Sequence, residues 1–447
     1  MTPESPAGKP AMPPQRAREV ASGFDLRALP ADFYADPYPV YDLLRAEDPL
    51  RQMPDGSWFL TRYADLAAVY RDAKTFSSDK RVEFAPKYLH QPWHGDVARA
   101  SDAPLFAHHT TSLVFNDPPL HTRVRKLIMV ALTRRAIREM ESGLVTLVDR
   151  LLDGIEAKGG GDLIEDFASA IPVEVIGNLL GVPHADRAPL RGWSLAILGA
   201  LEPALTPAQE ALGNRSVSEF LDYLKLLVAE RRLHPGDPEH DVLTRLIQGE
   251  TGAADDPDGG RLSEAELLHN CIFILNAGHE TTTNLIGNAL VCLQQWPDAK
   301  VGLLARMQRY RDDAPTLEQY LDSAVEEFLR FESSNQLSNR RANTDCRVAG
   351  VDLPAGALVT LCIGAANRDP AQFAQADRLD LMRRDNRHLA FGFGIHQCAG
   401  LSLARLEGRI AIGRFLQRLP DYQLTQAPVR GRRARFRGFL KAPFAVV

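Results

Sequence analysis

The chain has 447 residues, 45% of them hydrophobic and 24% charged, which is the balance of an ordinary folded protein able to bury a sizeable core. A formal net charge of -5 argues against a nucleic-acid partner, and no apolar run approaches the roughly 18 residues that a membrane span needs, so neither nucleic acid nor membrane is expected as a partner. The five cysteines are odd in number and show no CxxC spacing, which excludes a disulfide framework or a zinc ribbon and predicts a cytoplasmic location.

The stretch up to residue 22 is rich in proline and polar residues and lacks the apolar region of a signal peptide. It reads as a disordered leader to a folded body spanning 23–447. Residues 79–115 read as irregular, and their histidines His90, His94, His108 and His109 follow no ligand spacing, so they are expected to be ordinary loop residues. Asp117, with Pro118 and Pro119 behind it, predicts the cap and first turn of a helix running through Met140.

Further helices fit 141–157, 162–180, 208–232 and 239–248, and the Gly, Asp and Pro of 249–260 predict an exposed loop. The longest candidate runs from about Glu264 to Trp296, with a capping box at Ser263 and Glu266 and Pro297 as its stop. Apolar residues surround it almost completely, which makes it central to the fold. A helix from Thr316 to about Glu332, capped with Gln319, precedes short strands in "RVAGVDLPAGALVTLCIG" (347–364) and a last helix over 401–419. The class is mainly α with a small β region, an α+β arrangement. Strands do not alternate regularly with helices, which disfavours a doubly wound sheet.

Two tempting motifs fail. "HETTT" at 279–283 opens like the zinc-protease HExxH, but Thr283 stands where the second histidine must be. "GFGIHQ" at 392–397 opens like a dinucleotide loop, but Gln397 replaces the last glycine and no βαβ unit surrounds it. The motif that holds is "FGFGIHQCAG" at 391–400. Its cysteine, Cys398, lies just before the last helix, where backbone N–H groups and the helix dipole favour a thiolate. Glycines at 392, 394 and 400 let the backbone approach a flat group closely, and a flat group that takes an axial thiolate is haem.

This segment resembles the FxxGxHxCxG cysteine loop of the cytochrome P450 family, with matches at Phe391, Gly394, His396, Cys398 and Gly400. Three other segments resemble family motifs in the expected order. Glu327 and Arg330 match the structural ExxR pair, with Arg378 in "ADRLDL" matching the arginine that joins it. "AGHETT" matches the oxygen-activation signature at Ala277, Gly278, Glu280 and Thr281. His121 and Arg125 match a pair that binds a haem propionate, together with His396 and Arg340, although the adjacent Arg341 is an open alternative. The resemblance extends from about residue 35 to the C-terminus.

The resemblance implies one haem domain with a long central helix over a buried haem b, and Cys398 as the iron ligand. Phe391, Gly392, Gly400 and Ala277 would pack on the cofactor, while Thr281 and Glu280 would manage protons during O2 activation. It also implies monooxygenation of a small or medium-sized, largely apolar substrate by hydroxylation or oxidative dealkylation. Electrons would come from NAD(P)H through a ferredoxin and ferredoxin reductase, and Arg123, Lys126, Arg134, Arg135 and Arg405 are candidates for docking the ferredoxin.

The stretch 79–115 corresponds to the family's pocket cover, with Phe84, Tyr88, Trp93, Phe106, Leu113 and Val114 as its apolar residues and Phe84 and Phe106 as candidate contacts. Asn276, Asn335 and Gln336 stand where the family often has apolar residues, and either orient a polar group on the substrate or satisfy local backbone. A peroxide-driven peroxygenase and a non-catalytic haem sensor or carrier are the rival functions. The acid–alcohol pair Glu280 and Thr281 favours the O2-dependent enzyme.

Overall fold

The structure, a computed structural model, describes residues 12–81, 103–238, 241–250 and 262–446. The chain divides into two compact units, one formed by Met1–Thr75, Glu141–Ile171 and Thr281–Val447, the other by Phe76–Met140 and Pro172–Glu280. Among the described residues, no helix is long and apolar enough to cross a membrane.

In the first unit, the strands Leu50–Gln52 and Trp58–Leu60 pair antiparallel, the second of them pairs parallel with Leu358–Cys362, and that strand pairs antiparallel with Leu337–Ala342. Phe24, Phe33, Tyr41, Phe59, Leu337 and Cys362 form the core beside this sheet. Met12, Ala17, Val20 and Ala21 belong to the same core, on and just before the helix Pro14–Ser22. The expectation of a disordered leader through residue 22 is therefore corrected over 12–22. Proline opens this helix rather than preventing it, and its few apolar residues share one face.

The helix Ala314–Phe331 starts before the expected Thr316, because the Asp313 side chain accepts the Thr316 N–H at 3.3 Å. Pro297 ends the long helix as expected but also opens another, Pro297–Arg309, which went unread. The last helix, Leu401–Arg418, buries Phe415 against Phe167 and Tyr422, at ring distances of 5.1 and 4.9 Å.

The second unit is helical. Pro207–Leu233 begins with a capping box in which Thr206 Oγ1 accepts from Gln209 N at 3.2 Å, and it packs on both Pro104–Thr111 and Leu190–Gly199. The helix read from Asp117 to Met140 proves to be two, Leu120–Ala131 and the start of Arg134–Lys158. Thr133 Oγ1 accepts from Ala136 N at 3.2 Å and caps the second of these, while the Asp117 carboxylate accepts from Ser77 and Ser78 instead of capping the first. His108 and His109 are not loop residues, since both are buried on the helix Pro104–Thr111. His90 and His94 lie outside the described residues.

The long helix is Glu264–Gln295, and its capping box forms as read, with Ser263 N donating to Glu266 Oε2 at 2.8 Å and Glu266 N to Ser263 Oγ at 3.2 Å.

Candidate active site

In the first unit, the cysteine loop is shaped by glycine and by its own backbone. Gly392 and Gly394 adopt φ of +64° and +73°, the left-handed region that favours glycine. At Gly394 an added Cβ would fall 2.4 Å from Tyr70 O, so a side chain is excluded there twice over. Cys398 N donates to Phe391 O at 2.9 Å, closing the loop and leaving the thiol half-buried just before the first turn of the last helix. Space is open at Gly400, where a Cβ would meet nothing of the protein within 4 Å.

Arg405, one turn into that helix, lies 4.8 Å over the Phe391 ring and grips Glu326 through Nε at 2.6 Å and Nη2 at 2.8 Å. Burial pushes the Glu326 carboxyl up, but Arg405 and His388 outweigh it and hold it down at about 2. A fixed cation thus lies beside the loop of the candidate thiolate.

Glu327 and Arg330 form the expected pair, fully buried, with Nε–Oε2 and Nη2–Oε1 both at 2.8 Å. Arg330 also donates to the carbonyls of Asn367, Ala376 and Arg378 at 2.9, 2.8 and 3.0 Å, which stitches the helix to the irregular stretch before the cysteine loop. The third arginine is not Arg378, whose exposed side chain, among the described residues, reaches Gln375 Oε1 at 3.4 Å and not Glu327. It is Arg383, which donates to Glu327 Oε2 at 3.1 Å and to Ala374 O and Gln375 O at 2.7 and 3.2 Å. Arg378 contributes its carbonyl alone.

Arg340 is buried 5.1 Å over the Tyr70 ring and donates to Asn339 O at 2.7 Å, whereas Arg341 is less buried and reaches Asn343 Oδ1 at 3.4 Å. His396 is half-buried in the single turn Gly394–His396. Gln336 donates its Nε2 to Ser333 O at 2.7 Å and packs its amide over Gly364, while among the described residues its buried Oε1 has no hydrogen-bond partner. Asn335 is half-buried and bridges to Phe436 through its backbone. Sequence reasoning missed Glu407, a carboxyl buried on the last helix. Burial pushes it up to about 8, against a hydrogen bond from Thr282 that lowers it.

In the second unit, His121 is buried and Arg125 half-buried, one turn apart on Leu120–Ala131. Phe106 is buried on Pro104–Thr111, while Phe84, Tyr88 and Trp93 lie outside the described residues. Three of the candidate docking cations are already engaged, Arg123 with Glu266 at 2.6 Å, Arg135 with Glu139 at 3.0 Å, and Arg405 with Glu326 as above.

Along the long helix, Phe273, Ile274, Gly278 and Thr281 are half-buried around an exposed Ala277, a stripe at the spacing of one helical face. Glu280 is buried next to it. Asn276 is only 2% exposed, and among the described residues neither its Oδ1 nor its Nδ2 has a hydrogen-bond partner.

The residues fit a haem. In the first unit, the cysteine loop combines left-handed glycines, open space at Gly400 and a neighbouring cation; in the second unit, Ala277 is exposed midway along a mostly buried helix. This is the chemistry of a haem-thiolate oxidoreductase.

Comparison with known proteins agrees. The cytochrome P450 family model matches residues 199–428. The vitamin D(3) 25-hydroxylase of Pseudonocardia autotrophica is 38% identical over 396 residues, covering 88% of each chain. Among solved structures, P450BioI in complex with an acyl carrier protein carrying hexadec-9Z-enoic acid superposes with a TM-score of 0.81 at 32% identity, covering 93% of this chain and 100% of that one. Epothilone D-bound P450epoK gives a TM-score of 0.80 at 32% identity, covering 95% and 98%. The chain belongs to the cytochrome P450 family. It is a monooxygenase that uses haem b and O2.

Proposed function

We propose that this enzyme is a single haem domain over 23–447, extended by the helix that precedes it, and inserts one oxygen atom of O2 into a medium-sized, largely apolar substrate by hydroxylation or dealkylation. The observation that carries this is the cysteine loop, whose backbone fixes Cys398 beside Arg405 and before the last helix. When bound, the haem would supply O2 activation, which a thiolate ligand such as Cys398 would favour.

Cys398 is the ligand in this reading. His121, Arg125, Arg340 and His396 meet the propionates as charge-assisted donors, with Arg340 preferred to Arg341 for its burial and its seat on Tyr70. Phe391, Gly392, Gly400 and Ala277 lie against the macrocycle. Thr281 holds a proton at its hydroxyl and Glu280 moves protons through its carboxylate, within two consecutive residues. The enzyme works in the cytoplasm and takes electrons from NAD(P)H through a ferredoxin and its reductase. Lys126 and Arg134, both exposed, are docking candidates beside Arg123, Arg135 and Arg405.

Asn276 orients the substrate. A buried amide with neither atom partnered is costly, and a polar group on the substrate relieves that cost. Of the structural neighbours, P450BioI holds a carrier protein ligated to hexadec-9Z-enoic acid and P450epoK holds epothilone D, which supports an organic substrate of this kind.

The test is the absorption of the reduced protein under carbon monoxide. Wild type shows the red-shifted thiolate band and Cys398→Ser loses it, whereas the absence of that band from well-folded, haem-supplied wild type would refute the reading. A ligand screen following the Soret band then examines Asn276→Leu. Ligands with a carbonyl or hydroxyl weaken about tenfold and purely apolar ones keep their affinity, while equal effects on both kinds would remove Asn276 from recognition.

A further inference from the structure

We infer that His279 is a positioning residue, tying the stretch that carries Glu280 and Thr281 to the helix Leu190–Gly199 through Ser194. The inference rests on the proton-handling reading of Glu280 and Thr281 and adds what holds them in place. His279 stands at a position where the family signature fixes no residue type, so the motif gave it no role.

The geometry is that of a clamp on the back of the long helix. His279 is 1% exposed and Ser194 is fully buried, with Nδ1 and Oγ 3.3 Å apart. Burial first, and Arg191 second, take the imidazole down to about 3, so the ring is neutral at working pH. A neutral imidazole offers one donor and one acceptor, so the serine hydroxyl is matched in either tautomer.

The preceding residue has no room for a side chain. A Cβ at Gly278 would fall 2.5 Å from Ile176 Cδ1, so the helix is also pressed from Ala170–Leu179 at this point. Ser194 is itself well anchored. The residue before it, Trp193, stacks on Phe220 at 4.8 Å and donates its indole N–H to Glu219 at 2.9 Å, fastening Leu190–Gly199 to Pro207–Leu233.

At about 100° per residue, His279 and Thr281 point to nearly opposite sides of the helix. The clamp therefore acts from behind, on the side away from Ala277 and Thr281. Breaking it leaves a buried polar atom without its partner, so the bonded setting dominates. A small shift here moves the proton-carrying residues directly, and misplacement by about 1 Å at a reacting group is enough to cost a large factor in rate.

The experiment uses the haem-loaded enzyme with its redox partners and compares His279→Phe, His279→Gln, Ser194→Ala and the double variant His279→Phe/Ser194→Ala. Backbone amide exchange over 190–199 and 276–283 is measured, together with the share of NAD(P)H electrons recovered in product rather than in peroxide or water. In His279→Phe and in Ser194→Ala, exchange in both segments rises about tenfold and the product share falls about threefold. His279→Gln, which keeps a hydrogen bond, restores both, and the double variant is no worse than either single change.

The inference is overturned if the Phe and Ala variants melt earlier yet leave exchange and product share as in wild type, or if Gln does no better than Phe. Thr281→Ala, run alongside, separates the two claims. If it leaves the product share unchanged, the proton-handling reading fails, while the exchange data still decide whether His279 holds the helix.

Discussion

Arg383 and Arg378 lie five positions apart in the same irregular stretch, and only one of them uses its side chain on Glu327. The Arg383 side chain is 8% exposed, bonds a carboxylate that is wholly buried, and satisfies two backbone carbonyls. Arg330 still pairs with Glu327 when Arg383 is removed, but the carboxylate loses one charge-assisted bond and the carbonyls of Ala374 and Gln375 lose a donor, at about 1.5–3 kcal/mol. Arg383→Ala is therefore expected to lose most of that stability and to purify with reduced haem. Arg378→Ala keeps the carbonyl that receives Arg330 and stays within about 0.5 kcal/mol of wild type. Urea midpoints and haem content per chain check this, and equal losses in the two variants would restore Arg378 to the role the motif assigned it. The motif misled here because Glu327 and Arg330 sit at fixed helical spacing, whereas the third member comes from irregular backbone, where spacing carries no geometry.

Elements were legible wherever their ends carry their own chemistry. The long helix was readable because Ser263 and Glu266 cap it reciprocally and Pro297 stops it. The cysteine loop was readable because its glycines and its cysteine each perform a distinct task at fixed spacing. Breaks inside a continuing apolar pattern were not readable. The gap between Leu120–Ala131 and Arg134–Lys158 shows only as Thr133, a cap-type residue that also occurs inside helices and marks no boundary until Ala136 N is seen to bond it. The helix Pro14–Ser22 hid behind its prolines. Glu407 hid among the charges of the last helix, since only tertiary packing tells a buried acid from a partly exposed one. The same holds for His279 and Ser194, which meet across 85 positions of sequence that no periodicity connects.

At the scale of the whole molecule, these hidden groups set how stability varies with pH. Glu407 has its carboxyl raised from 4.5 to about 8 by burial, so the folded state favours the protonated form. Its contribution is full below the unfolded value of 4.5 and is lost as pH rises through 8, at about 1.4 kcal/mol per pH unit at most. His108, His269 and His279 work in the opposite sense. Burial lowers all three from 6.5, His269 to about 4 and His279 to about 3, with His109 and His269 adding to the effect on His108. Their contribution is full above 6.5 and is lost as pH falls through those folded values. Between 4.5 and 6.5 three imidazoles oppose one carboxyl, so stability rises with pH, and above 6.5 the carboxyl acts alone and stability falls until about 8. The melting temperature of the haem-loaded protein is therefore expected to peak near pH 6.5. Glu407→Gln keeps the shape and the Thr282 contact but cannot ionise, so it removes the decline on the alkaline side and leaves the acid limb as it was. His269→Leu makes the acid limb shallower and leaves the alkaline side alone. Melting curves across pH 4 to 9 at constant ionic strength test this, and an alkaline decline that persists in Glu407→Gln would mean that the Glu407 carboxyl is already ionised in the folded protein.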